Sequence, residues 1–453
     1  MNYNVFPSTL SDSEIRVPGD KSISHRALIF GAIADGVSSF TGFLSSDDCL
    51  ATLRAFQSMG LVVDHDNTNL KVYGLGLNGL KGSSIPYDLA NSGTAVRLLT
   101  GLLAAQNFDS VLLGDESLSI RPMNRVILPL CLMGAKIKSQ NGCLPLKIKG
   151  NQNLSDINYV MPLASAQVKS SIILAALYSN KQTIITECGI TRDHSERMLI
   201  SMSGPIEVKE NKVIIDTSKP LKPIEMKIPG DFSSASFLIA AYLINKNKAS
   251  LILRDIGINP TRIGFLSIVK LMGANIELKN IGSFGNEPTA DIHVQSSKLV
   301  GINIYDPNLI SLAIDEFPII FILAAYAQGV TKISGIDELR FKESDRIESM
   351  VIGMKSLGVS IKDTDQGVVI ESSEFQGGIV DSFGDHRIAM SFVIAAIAAN
   401  KEITVKNIEN IENSYRYLKI IANKIGNVPE WHIGSTYNGK GWIFVDEIKI
   451  KYE

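Results

Sequence analysis

The sequence has few of the residues that build metal or redox centres: of its 453 residues, four are cysteine, six histidine and two tryptophan. Cys49, Cys131, Cys143 and Cys188 form no Cys-x-x-Cys pair and no regular spacing, which excludes a zinc ribbon or a disulfide framework as the organising device. Neither charge dominates. Forty-four Lys and Arg against 46 Asp and Glu leave a net −2, without the basic surplus of a nucleic-acid binder. No apolar run approaches the ~18–20 uninterrupted residues of a membrane span. Residues 1–20 have neither a basic stretch nor an apolar core of the signal-peptide kind. The expectation is a cytoplasmic protein in a reducing setting, with no nucleic acid and no membrane as partner. Gly-x-Ser-x-Gly, a Gly-x-Gly-x-x-Gly after a strand and His-Glu-x-x-His are also missing, which removes the common hydrolase, dinucleotide and zinc-protease readings. Residues 17–36, VPGDKSISHRALIFGAIADG, come close to a P-loop, but Asp20 separates Gly19 from Lys21.

That stretch is informative in another way. Lys21, Ser22, Ser24, His25 and Arg26 stand at the mouth of an apolar run. The first N–H groups of a helix have no internal partner and carry the positive end of its dipole, so an anion settles there. An ordinary Ser-capped helix start reads equally well from this stretch alone.

The length suits two or three domains, and 45% hydrophobic with 20% charged residues is an ordinary globular composition. A repeat organises it. HRALIFGAIADG, VRLLTGLLAAQN, SSIILAALYSN, SFLIAAYLINK, FPIIFILAAYAQG and RIAMSFVIAAIAAN are small-residue-rich apolar helices, with cores near Gly31, Gly101, Leu174, Ile239, Leu323 and Ile394. The steps are 70, 73, 65, 84 and 71 residues. In phase with them, SMGLVV, LMGAKIK, LMGANIEL and SLGVSIK each read as a helix end, a left-handed Gly and a strand. SMSGPIEV and KIGNVPEW are weaker copies. Modules of this length are βαβαββ units rather than solenoid turns. The expected fold is α/β with six such repeats, three per domain, the helices buried together and the sheets outside. The longest step spans KNIGSFGNEPTADIHVQSSKLVG, which reads as a surface insertion.

Polar residues cluster where the apolar helices begin: Lys21, Ser22 and Arg26; Asn91-Ser92-Gly93-Thr94 with Arg97; Ser165-Ala166-Gln167 with Lys169; Asp315-Glu316; and Asp385-His386-Arg387. GDFSSAS, from Gly230, reads as a plain Ser-capped start. Loops add Arg121 and Arg125, Arg192 and His194, and Arg340, Lys342, Glu343 and Arg346. Any one of these is as readily a solvated surface charge. Together they suit phosphate and carboxylate groups, at roughly 1.5–3 kcal/mol per charge-assisted bond. Asp315 and Glu343 are the acid/base candidates. The chemistry indicated is group transfer on a polyanionic small molecule.

DKSISHRAL, NSGTAVRLL, RPMNRVILPL, ASAQVKS, TRDHSERML, GDFSSAS, DEFP, ELRFKESDR and GDHRIAM resemble, in this order, the 5-enolpyruvylshikimate-3-phosphate synthases of the enolpyruvyltransferase family. The resemblance implies two domains of three βαβαββ units, 1–17 plus 231–453 and 18–230, with the active site in a cleft between them. It also implies closure on the first substrate about hinges near 17–19 and 227–230. The implied reaction is attack of the 5-hydroxyl of shikimate 3-phosphate on C2 of phosphoenolpyruvate. Protonation at C3 and loss of phosphate then follow, without metal or organic cofactor, in a monomer. On this resemblance Lys21, Ser22, Arg26, Ser165, Ala166, Gln167, Thr191, Arg192, Asp315 and Lys342 hold shikimate 3-phosphate. Lys21, Gly93, Arg121, Gln167, Lys342, Arg346, His386 and Arg387 surround phosphoenolpyruvate. Asp315 is the base, Glu343 the proton donor and acceptor at C3, and Lys21 the charge partner of the leaving phosphate. Glyphosate takes the phosphoenolpyruvate place in the family, and the retained Gly93 implies a sensitive enzyme.

The chain departs from the family pattern at several points. Ala166 stands where many members have Ser, and Thr191 replaces the usual Ser. Asn413 and Arg416 in NSYRYLKII replace a Lys and a Pro, so that segment is left out of the site. GWIFVDEIKIKYE reads as a terminal strand. The UDP-N-acetylglucosamine enolpyruvyltransferases, with Asn after the first Lys and a Cys before the loop Arg, fit less well than Ser22 and GDESLSIRP. A non-catalytic phosphate sensor would not need Lys21, Asp315, Lys342 and Glu343 together.

Overall fold

The six apolar segments form helices at Lys21–Ala32, Gly93–Ala104, Ala166–Ala176, Phe232–Leu243, Phe317–Tyr326 and His386–Ala399. Ala, Leu and Ile dominate them, so they lose little rotamer freedom and can be buried on every face. In Phe317–Tyr326 every residue from Phe317 to Ala325 is buried. The structure is a computed structural model that describes residues 2–6, 10–150, 153–216, 219–399 and 401–408.

The chain divides into two units, the first comprising 1–18, 230–282 and 289–453, the second 19–229 and 283–288. Each has its own hydrophobic core. In the second unit, helix Gly93–Ala104 packs against both Ala166–Ala176 and Lys21–Ala32. A Cβ at Gly101 would lie 2.0 Å from the Ser171 carbonyl oxygen, so the absence of a side chain there sets how closely two of these helices approach. In the first unit Phe232–Leu243, Phe317–Tyr326 and His386–Ala399 contact one another in all three pairings. Each fully buried Leu, Ile or Phe contributes about 1.5–3 kcal/mol, which makes these helix trios the main stabilising feature of each unit.

Among the described residues, six sheets accompany the six helices. In the Gly93 module, Tyr87–Asp88 pairs in parallel with Ser110–Leu113 on the far side of the helix. Ser110–Leu113 then pairs antiparallel with Cys143–Ile148, which pairs with Ile137–Gln140. This is a βαβαββ module, and five of the sheets have four strands in this order. Two modules take their first strand from a distant part of the chain. Asp35–Thr41 pairs in parallel with Glu225–Lys227, and Ser250–Gly257 with Ser13–Ile15. The sixth sheet has three strands among the described residues, with Asn2–Val5 antiparallel to Ile403–Lys406. KIGNVPEW, Asn413, Arg416 and the tail from Gly441 lie outside the described residues.

The in-phase glycines have the expected role: Gly60, Gly134, Gly273 and Gly358 follow their helices with φ between +80° and +98°. In the weak copy SMSGPIEV the left-handed residue is Ser203 (φ +56°), one position before the Gly. The long step is not a loose surface insertion. It forms a hairpin of Asn275–Phe284 with Glu287–Gln295, and Glu287 near its turn is 3% exposed, because its carboxylate meets a buried imidazole. No single helix among the described residues is long and apolar enough to cross a membrane.

Helix Lys21–Ala32 is capped by Asp20, whose carboxylate accepts from the Ile23 N–H (2.9 Å), so no Ser acts as its cap. His25 on this helix is fully buried, with Nδ1 at 2.9 Å from Thr52 Oγ1. Burial, then the Lys21 and Arg26 charges, hold its pKa well below the ordinary value. The unfolded chain therefore binds a proton near pH 6.5 that the folded chain refuses. The stability His25 contributes is complete above that pH and is lost as pH falls toward its folded pKa. Denaturant unfolding at pH 7.5 and pH 5.5 should differ by about 1.4 kcal/mol in all, a loss that is absent in His25→Gln.

Candidate active site

In the second unit, three core helices begin with polar residues held by a dense bonding network. Lys21 is ion-paired with Asp48, which opens helix Asp47–Ser58 and is 4% exposed. Arg26 donates from Nε to Ser195 Oγ (2.8 Å), from Nη2 to Ser170 Oγ (2.8 Å) and from Nη1 to the Ser22 carbonyl (2.9 Å). Burial outweighs the upward pull of Glu196, Asp20 and Glu287 and brings its pKa down to about 10. Arg26 thus remains a cation, held rigidly between two helices.

Gly93 and Gln167 are tied together by Arg97. Arg97 donates from Nη1 to Gln167 Oε1 (2.9 Å) and to the Gly93 carbonyl (3.2 Å), while Gln167 Nε2 donates to Thr94 Oγ1 (3.2 Å). Arg121 Nη2 is fixed by Asn91 Oδ1 (2.9 Å) and Ser117 Oγ (3.2 Å). A Cβ on Gly93 would lie 2.8 Å from Arg97 Nη1 and 3.3 Å from Arg121 Nη1, which places the backbone at Gly93 between two guanidiniums. Ser165 caps helix Ala166–Ala176 by accepting from the Val168 N–H, and Ala166 is its first residue.

Lys169 differs from its neighbours: it is 1% exposed and clasped by Glu196 (2.6 Å) and Glu187 (2.9 Å). Thr191 Oγ1 donates to that same Glu187 (2.5 Å), which ties the TRDH turn to this triad and places Arg192 next along the chain. His194 Nδ1 stands 2.8 Å from Glu287 Oε1.

In the first unit the charges interlock. Arg346, 2% exposed, donates from Nε to Asp385 (2.8 Å) and from Nη2 to Glu343 (2.5 Å), with Nη1 3.5 Å from Asp315 Oδ1. Burial alone would lower its pKa; Asp385 and Glu343 outweigh that, and the net shift is upward. Arg387 donates from Nη1 to Ser233 Oγ (3.0 Å) and to the Asp315 carbonyl (3.1 Å), and Nη2 lies 3.6 Å from Asp315 Oδ2. Lys342 donates to Glu338 (2.8 Å), a helical neighbour four residues back. His386 begins its helix and is buried.

Ser233 and Arg262 of this cluster were not legible in the sequence, and Glu316 was read there only as part of the Asp315-Glu316 helix start. Ser233 belongs to the GDFSSAS start read as plainly structural, whereas the cap there is Asp231, accepting from the Ser233 and Ser234 N–H groups. The Ser233 hydroxyl is thereby released to the charged cluster. Arg262 (4% exposed) and Glu316 (1%) complete it. An Arg in a loop carries no sequence signal that separates it from a surface charge, and the helix-start signal at Asp315-Glu316 does not show that the second carboxylate is buried. Burial pushes the Glu316 carboxyl up, against the pull of Arg262 and Arg387.

An α/β protein of repeated modules, whose buried helices open on guanidiniums, hydroxyls and two carboxylates, is built to hold an anionic small molecule and move protons on it. The comparisons identify which such protein family this is. The sequence model of EPSP synthase, 3-phosphoshikimate 1-carboxyvinyltransferase, matches residues 7–419. The chain is 49% identical to the 3-phosphoshikimate 1-carboxyvinyltransferase of Legionella pneumophila strain Corby, covering 93% of this chain and 98% of that one. It is 48% identical to that of Nitrosococcus oceani, covering 92% and 94%. The EPSP synthase structure from Acinetobacter baumannii superposes with a TM-score of 0.82 at 42% identity, covering 91% of this chain and 96% of that one. The chain belongs to the EPSP synthase family.

Proposed function

We propose that the chain uses the residues described above on one substrate pair, shikimate 3-phosphate and phosphoenolpyruvate. The enolpyruvyl group of phosphoenolpyruvate is transferred to the 5-hydroxyl of shikimate 3-phosphate and phosphate is released. The observation that carries the assignment of roles is the Asp315–Arg346–Glu343 chain, in which one buried guanidinium lies beside both carboxylates. Asp315 takes the proton of the attacking 5-hydroxyl as its oxygen bonds to C2, and Glu343 delivers a proton to C3. The tetrahedral intermediate then loses a C3 proton back to Glu343 as the C2–O bond to phosphate breaks. Lys21 and Lys342 offset the charge on the departing phosphate. Ser22, Arg26, Ser165, Ala166, Gln167, Thr191 and Arg192 hold shikimate 3-phosphate. Gly93, Arg121, Gln167, Arg346, His386 and Arg387 line the place of phosphoenolpyruvate. Both substrates are charged, water-soluble metabolites, which supports a cytoplasmic workplace.

The test is phosphate release from phosphoenolpyruvate with shikimate 3-phosphate in one reaction and UDP-N-acetylglucosamine in another. Release in the first alone is expected; release only in the second overturns the assignment. The crowding at Gly93 yields a further expectation. Gly93→Ala should raise KM for phosphoenolpyruvate by roughly tenfold, about 1.4 kcal/mol of lost binding, and weaken glyphosate inhibition at least as much. KM for shikimate 3-phosphate should stay near its parent value. Steady-state kinetics with each substrate varied in turn checks all three.

A further inference from the structure

We infer that Glu316, Arg262 and Ser233 form a buried mount that positions Asp315 and Arg387, and that Glu316 is a positioning residue for the reaction. The inference rests on the reading of Asp315 as the base.

Asp315 and Glu316 are consecutive, yet their carboxylates have different partners. Glu316 Oε1 accepts from Ser233 Oγ (2.5 Å). The same Ser233 oxygen accepts from Arg262 Nη2 (2.5 Å) and from Arg387 Nη1 (3.0 Å), so one hydroxyl joins both guanidiniums to one buried carboxylate. Arg262 Nη1 lies 3.4 Å from Glu316 Oε1 and 3.5 Å from Asp315 Oδ2, bridging the two carboxylates. Arg387 Nη1 is also 3.6 Å from Glu316 Oε1. Two guanidiniums therefore face two carboxylates, with the hydroxyl at their junction.

Packing alone does not call for such a group. Apolar side chains would fill the same interior at lower desolvation cost, and the residues that follow, Phe317 to Ala325, do so. What the charged set supplies is position and field. Ser233 and the Asp315 carbonyl fix Arg387 Nη1. The Glu316 charge opposes the pull of Arg262, Arg387 and Arg346 on the Asp315 proton affinity. Among the described residues, the other charged or titratable groups at this cluster are Asp231, which accepts from the Ser233 N–H, and Glu343, Asp385 and His386, with Lys342 beside Glu343 in the chain. They are the same in every variant below.

Removing the Glu316 charge while keeping its shape should leave Asp315 a weaker base. In Glu316→Gln the acid limb of the kcat/KM profile should move down by about one pH unit, with kcat reduced and KM for shikimate 3-phosphate within about twofold of the parent. The experiment measures pH profiles from 5 to 9 for the full chain as parent, Glu316→Gln, Ser233→Ala and Asp315→Asn. A Glu316→Gln profile that superposes on the parent overturns the inference. So does a fall in kcat with an unmoved acid limb, which is the mark of a merely structural role. If Glu316→Gln does not fold, Ser233→Ala decides: loosening Arg387 should raise KM for phosphoenolpyruvate roughly tenfold, and an unchanged value overturns the mount. An active parent with an equally active Asp315→Asn removes the base assignment and the inference with it. A parent inactive with both substrates overturns the functional reading itself.

Discussion

Replacing Glu343 by Gln should lower kcat about 10²–10⁴-fold, the range for loss of a positioned general acid or base, with little change in KM for either substrate. Glu343 is tethered: its carboxylate is 2.5 Å from Arg346 Nη2, and Arg346 is in turn anchored by Asp385, itself fully buried. Gln keeps the size and the acceptor oxygen, so the guanidinium stays in place, but it cannot deliver a proton to C3 or take one back. Two measurements separate the catalytic role from a structural one. The thermal midpoint of the variant should stay within a few degrees of the parent, because the pair is part-exposed on the Glu343 side and such pairs contribute little. In deuterated water the parent should place deuterium at C3 of phosphoenolpyruvate-derived carbon and the variant should not. A variant with parent kcat and a lowered midpoint would reduce Glu343 to a charge partner of Arg346.

The second large effect is on stability. Lys169→Met should cost about 3–5 kcal/mol, because it leaves Glu196, 2% exposed, without its cation 2.6 Å away. That lowers the midpoint of the second unit by on the order of 10 °C. Burial already raises the Glu196 pKa, and Lys169 opposes the rise. Without Lys169 the folded chain holds a proton on Glu196 more tightly than the unfolded chain does. Stability therefore falls as pH rises through the interval between the unfolded and folded values. The deficit should be smaller at pH 5 than at pH 8. A second substitution, Glu196→Leu, should recover most of the loss, with calorimetry of the single and double variants as the check. An additive double variant would mean that the two residues do not act as a pair.

Local signals account for what was readable in the chain. The six apolar helices form where Ala-, Leu- and Ile-rich runs predict them, since such runs favour helix and require burial whatever surrounds them. The four Gly helix ends follow from a backbone conformation that few other residues adopt. The motif residues Asp315, Glu343, Arg346 and Arg387 lie in one cluster because two Arg-bearing helix starts and one Asp-Glu step belong to modules of the same unit.

Other features depend on neighbours distant in sequence. Lys169 and Arg97 look alike in the sequence, a cation a few residues into an apolar helix. Glu187 and Glu196 hold the first as a buried structural charge, while Gln167 makes the second a support for the site. Ser233 reads as a cap until Asp231 takes the cap and leaves the hydroxyl to Glu316, Arg262 and Arg387. The hairpin carrying Glu287 reads as an insertion until His194, 93 residues earlier, meets it. The sequence by itself determined the modules, because helix propensity and left-handed turns depend on residues within a few positions. Only the tertiary structure decided which charges are buried, paired or turned to the site, because desolvation and Coulomb energies depend on distance in space.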